Sequence, residues 1–136
     1  SRTNFKKYVK YLKLDYDMQW FHAYICDRLN AFARGEVTKL MILMPPQHGK
    51  SELATRLFPS FLLGLNPDLK IAITSYSDSI VSGFNRAVQR NIDNEAYGEL
   101  FEDTRLNHSK IFGTSFSNFT RTDHKFEVIG FKGSLK

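Results

Sequence analysis

Apolar residues in the first part of the chain recur at helical spacing. In "NFKKYVKYLKL" Phe5, Tyr8, Val9 and Leu12 share one stripe, with Lys6, Lys7, Lys10 and Lys13 around the rest, which predicts an amphipathic helix with a solvated lysine face. From Asp17 the positions Phe21, Tyr24, Ile25, Leu29 and Phe32 predict a second helix, with Asp15 or Asp17 as its cap and Gly35 just past its end. At Thr38 the pattern changes. "TKLMILM" is continuously apolar and too short for a helix before Pro45 stops it, so it predicts a fully buried strand. Helical spacing resumes at Ser51 with Leu53, Ala54, Leu57, Phe58, Phe61 and Leu62, and Pro59 predicts a kink or an early end. The turn Asn66-Pro67-Asp68 introduces a second buried strand, "DLKIAITSY", followed by a helix over 77–91. Beyond Asn91 "AYGELFED" is ambiguous, and "SKIFGTSF" and "HKFEVIGF" read as two strands joined by the polar "SNFTRTD". Strand, helix, strand, helix is the order of a parallel sheet with right-handed crossovers, which predicts an α/β domain.

Composition narrows the classes. The 136 residues suit one domain, and 42% hydrophobic content supplies a core. The longest apolar runs fall short of the roughly 20 residues that span a bilayer, and no signal peptide opens the sequence, so neither a membrane partner nor export is expected. A single cysteine, Cys26, excludes an internal disulfide and fits a reducing cytoplasm. The net charge of +5 favours an anionic partner such as a nucleotide or nucleic acid.

The stretch "MPPQHGKSEL" carries the candidate chemistry. In a phosphate-binding loop the chain leaves a buried strand, wraps backbone N–H groups around a phosphate and enters a helix whose N-terminal dipole also favours the anion. Lys50 then reaches the β- and γ-phosphates, the Ser51 hydroxyl ligates Mg²⁺, and Gly49 lets the backbone approach without a Cβ in the way. The usual first glycine is missing. Met44 stands in its place, and Pro45 and Pro46 have no N–H, so the cradle falls to Gln47, His48, Gly49, Lys50 and Ser51. The competing reading makes Ser51 a plain helix cap and Gly49 a turn residue.

"MPPQHGKSEL", with "DMQWFHAYICDRL" before it and "FPSFLLGLNPDLKIAITSYS", "GFNRAVQRNI", "YGELF" and "GFKGSL" after it, resembles the N-terminal ATPase half of phage terminase large subunits, the motors that package viral DNA. The resemblance runs from about Asp17 to Leu135. It implies a P-loop NTPase-type three-layer α/β fold with a mainly parallel sheet, incomplete at the C-terminus. Residues 1–37 are then a helical lead-in and 38–136 a nucleotide-binding core, with the family's RNase H-like nuclease domain absent. It also implies ATP and Mg²⁺ as ligands, hydrolysis coupled to translocation of double-stranded DNA, and Gln19 as an upstream adenine-recognising glutamine. The implied partners are a small terminase subunit, a portal and further copies of the chain in a ring, in the cytoplasm of a bacterial host.

Two departures bear on activity. Gln47 stands where the family commonly has arginine. No apolar strand ends in the acids that would orient the attacking water: "KIAIT" lacks one, Asp78 lies beyond it, and "GELFED" is not a buried strand. The chain is therefore expected to stop a few residues early, to bind nucleotide and to hydrolyse it poorly. A helicase-like P-loop ATPase and a non-enzymatic DNA-binding fragment remain as alternatives. His22 and Cys26 sit at i and i+4, a spacing open to a metal or to two residues sharing a helix face. Arg86 and Arg90 share a basic helix face that suits nucleic acid or solvent.

Overall fold

The computed structural model of the chain describes residues 2–106, 121–122 and 124–128 and the backbone of 134–135. Five α-helices dominate: α1 (Phe5–Leu12), α2 (Trp20–Ala33), α3 (Phe58–Leu65), α4 (Asp78–Ile92) and α5 (Glu95–Leu100). A π-helical segment, Glu52–Leu57, runs directly into α3, and the chain is helical without a break from Lys50. Thr55 Oγ1 donates to the Ser51 carbonyl at 2.6 Å, and Pro59 has no N–H for the carbonyl one turn before it. The ladder slips by one residue, so that the Phe58 N–H reaches Leu53. The expected kink at Pro59 is thus realised as a widened turn upstream of it.

Aromatic packing fixes these helices against one another. Phe5, Tyr8 and Val9 of α1 are fully buried, as are Leu53, Leu57, Phe61, Leu63 and Tyr97. Phe5 meets Phe58 edge-on at 5.1 Å, Tyr8 lies 5.2 Å from Phe61, and Tyr97 lies 5.1 Å from Phe101. The hydroxyls buried with these rings are satisfied. Ser60 Oγ donates to the Leu57 carbonyl at 2.7 Å, which leaves it as acceptor for Tyr8 at 2.7 Å, while Tyr97 donates to the Ser60 carbonyl at 2.8 Å. Asn4 caps α1 through the Lys7 N–H, and Asn30 of α2 accepts the Phe5 N–H at 2.8 Å.

The expected three-layer fold with a mainly parallel sheet is not what forms. The chain is helix-rich, and the strands among its described residues, β1 (Lys70–Ile71), β2 (Phe126–Glu127) and β3 (Ser134–Leu135), are two residues each. They lie in the order β1-β3-β2, with β1 parallel and β2 antiparallel to β3. "TKLMILM" is extended but pairs with nothing: among the described residues Leu40–Met44 makes no backbone hydrogen bond. It is not fully buried either. Leu40, Ile42 and Met44 pack against the helices, and Met41 and Leu43 face out, 81% and 85% exposed. "DLKIAITSY" keeps only Lys70–Ile71 as strand. Of the last two expected strands, 109–116 lies outside the described residues, and 124–131 contributes Phe126–Glu127.

Candidate functional site

The 45–51 segment leaves the extended chain at Met44, turns, and becomes helical at Lys50. Gln47 and Gly49 both take positive φ, +63° and +78°. For Gly49 this conformation carries no side-chain cost, whereas for Gln47 it is a strained position. Such alternation turns successive N–H groups toward one side. Among the described residues Gln47, His48 and Gly49 donate no backbone hydrogen bond, and Lys50 and Ser51, in the first helical turn, have no intrahelical acceptor for theirs.

Each expected ligand has a definite place. Lys50 is half-buried and has no hydrogen-bond or ion-pair partner among the described residues. Ser51 is exposed and already helical, with φ −68° and ψ −31°, and its side chain makes no cap bond. It is therefore not the plain helix cap of the competing reading, and its hydroxyl is open to a ligand. His48 is exposed and donates from Nδ1 to the Pro46 carbonyl at 2.7 Å, closing the turn over the proline pair. Gln19, not Asp15 or Asp17 as expected, is the cap residue of α2, and its amide donates to Asp17 at 2.6 Å. Beside it, Trp20, Phe21, Tyr24, Met41 and Leu43 line an apolar groove of about 380 Å³ between α2 and the extended segment.

His22, weighed in the sequence only as half of a metal pair, joins the two parts of this site. Its Nδ1 accepts the Gln19 backbone N–H at 3.2 Å, and its Nε2 lies 2.9 Å from the His48 carbonyl. Both ring nitrogens are therefore engaged, which removes the His22–Cys26 metal reading. No group of three or more potential metal ligands occurs among the described residues. Cys26 is buried, and burial, with the Asp27 charge, pushes its thiol up to about 12 against the opposing Lys6. A Cβ on Gly49 would stand 2.9 Å from His22 Nε2 and 3.1 Å from the Tyr16 hydroxyl, so this turn rests directly on the imidazole.

Among the described residues no carboxylate pairs with Lys50. Glu52, the acid nearest to it in sequence, is clamped by Lys13 and by Arg56 at 3.0 Å. Burial alone would raise the Glu52 carboxyl, but the bonds from Lys13 and Arg56 outweigh it and hold the group below its ordinary value. Arg86 and Arg90 are exposed on α4. The buried polar side of that helix is structural: Gln89 donates to Asn85 and to the Thr122 carbonyl, both at 2.7 Å, and accepts from Arg121 at 2.9 Å. Asp78 lies 3.7 Å from His124. No helix among the described residues is long and apolar enough to cross a membrane. No protein-family model, curated protein or solved structure matches the chain.

Proposed function

We propose that residues 45–51 bind the phosphates of ATP, and that the chain is the ATP-binding part of a DNA-packaging terminase large subunit. The observation that carries this reading is Lys50: a half-buried ammonium at the start of a helix, beside a turn whose amides, like the ammonium itself, have no partner among the described residues. A phosphate supplies the missing negative charge and the missing acceptors together. Lys50 then holds the β- and γ-phosphates, with Gln47, His48 and Gly49 contributing main-chain donors.

The exposed, unengaged Ser51 hydroxyl fits Mg²⁺, which binds through few protein oxygens and keeps phosphate and water ligands. When bound, the ion neutralises phosphate charge. Gln19 and the aromatic groove that begins at Trp20 offer a polar edge and an apolar slot to the base. The reading rests on this local geometry and on the wording of the motif, not on a parallel sheet. The packaging role, double-stranded DNA, a small subunit, a portal, a ring of copies and a bacterial host cytoplasm follow from the resemblance and are part of the same proposal.

Turnover is expected to be slow. Glu52 is occupied by its two cations, and Asp78 lies with His124, so neither is placed to orient water. Calorimetry with ATP or ATPγS and Mg²⁺ tests the proposal. The account expects saturable binding by the wild-type chain and at least a tenfold loss in Lys50→Ala with the fold retained. Equal affinity in the two would remove Lys50 from the site.

A further inference from the structure

We infer that His22 is a positioning residue for the 45–49 turn, and that it acts as a neutral imidazole carrying its proton on Nε2. The inference deepens the phosphate-loop reading and rests on it, yet it can be tested in the absence of nucleotide.

The hydrogen bonds assign the tautomer. A backbone N–H only donates, so the Gln19 contact at 3.2 Å makes Nδ1 the unprotonated nitrogen. A carbonyl only accepts, so the His48 contact at 2.9 Å places the proton on Nε2. His22 is the third residue of α2 and reaches back to the cap residue, as a glutamate does in a capping box. With its remaining nitrogen it holds the residue before Gly49. One ring thus ties the start of α2 to the turn that precedes Lys50.

The surroundings leave little choice of position. His22 is 8% exposed, packed against Phe21 at 4.2 Å and edge-on to Tyr16 at 5.4 Å. Gly49 has no room for a Cβ on this side. The ionisable groups nearby are Tyr16 before α2, Cys26 one turn along it, His48 and Lys50 of the turn, and Glu52 just beyond. Burial pushes both Tyr16 and Cys26 up to about 12, so each is neutral at ordinary pH. Glu52 is taken by Lys13 and Arg56, and no carboxylate lies within ion-pair distance of His22 among the described residues. A proton on Nδ1 would face the Gln19 N–H donor to donor, so the two bonds that join the start of α2 to the turn hold only with Nδ1 bare.

Long-range ¹H–¹⁵N spectra of the nucleotide-free chain read the tautomer directly, and the Gly49 amide shift compared between wild type and His22→Phe reads the coupling. The account expects the Nε2–H form and a Gly49 amide that moves when the imidazole is removed. An Nδ1–H form, or a Gly49 amide indifferent to that ring, overturns it whatever the chain does with ATP. If ATP fails to bind while both signatures appear, positioning stands and the phosphate reading falls. Two variants supply the functional arm. His22→Phe keeps a packed ring without either bond and is expected to lose at least tenfold in Mg·ATP affinity. His22→Gln, which still donates to His48, is expected to recover most of that loss. A His22→Phe chain that stays folded and binds as tightly as wild type refutes the role.

Discussion

The helices and the extended segment of this chain both carry large apolar side chains and place them differently. Phe5, Tyr8, Leu53 and Phe61 are wholly buried, whereas Met41 and Leu43, in a continuously apolar run, stand 81% and 85% exposed. An α-helix satisfies its backbone groups within itself and needs a neighbour only for its apolar stripe. A strand needs a partner chain for its amides and carbonyls as well. Among the described residues Leu40–Met44 has the first kind of neighbour on one side and the second kind on neither. The difference teaches that helical packing organises this domain, and that the extended segment serves chiefly to deliver the chain to the 45–51 turn.

Paired truncations break or sharpen this contrast most strongly. Phe61→Ala removes a ring that touches Phe5, Tyr8, Phe58 and Phe101, and is expected to cost about 3–5 kcal/mol. Leu43→Ala removes an exposed side chain and is expected to stay within about 0.5 kcal/mol. Urea unfolding of the two variants decides it. Similar losses would mean that the extended segment is part of the core after all.

Gly49→Ala comes next, because it probes the junction between the two regions. A side chain at φ +78° costs about 1–3 kcal/mol of backbone strain, and the added methyl also meets His22 and the Tyr16 hydroxyl. Stability is expected to fall by at least that amount together with nucleotide affinity. A chain that tolerates the methyl in both assays would show that the turn does not rest on His22.

The smallest effect lies in acid. The Glu52 carboxyl is held below its ordinary value, near 4.5, so its contribution is fully present above that value and is lost as pH falls through the lower folded one. Part of the group meets solvent, which limits the gain to under about 1 kcal/mol. Glu52→Gln is expected to lower stability slightly at pH 7 and to reduce the stability that wild type loses below pH 4.5. An unchanged acid transition would assign that sensitivity to other carboxylates.

The α1 stripe of Phe5, Tyr8 and Val9 is legible because a helix repeats its buried face every three to four residues and closes its own hydrogen bonds. Along α2, Ile25 and Leu29 are buried as the spacing predicts, while Tyr24 on the same stripe lies 63% exposed beside the groove. "TKLMILM" misleads because a short apolar run reports hydrophobicity and not pairing. Five residues cannot say whether a partner lies on either side. The motif proposes Gly49, Lys50 and Ser51 as ligands. It says nothing of His22, whose contact is with a carbonyl 26 residues away. Its one sequence signal was position: a polar, hydrogen-bonding side chain three residues after a cap, where a capping box has glutamate.

The central claim is that the turn's own amides, with Lys50, take up phosphate. Titrating Mg·ATP into ¹⁵N-labelled chain and following the amides of Gln47, Gly49, Lys50 and Ser51 measures this most directly. The account predicts large, saturable shifts confined to these amides and the start of α2, and their disappearance in Lys50→Ala. Shifts spread over the exposed lysines of α1, with the turn unmoved, would contradict it.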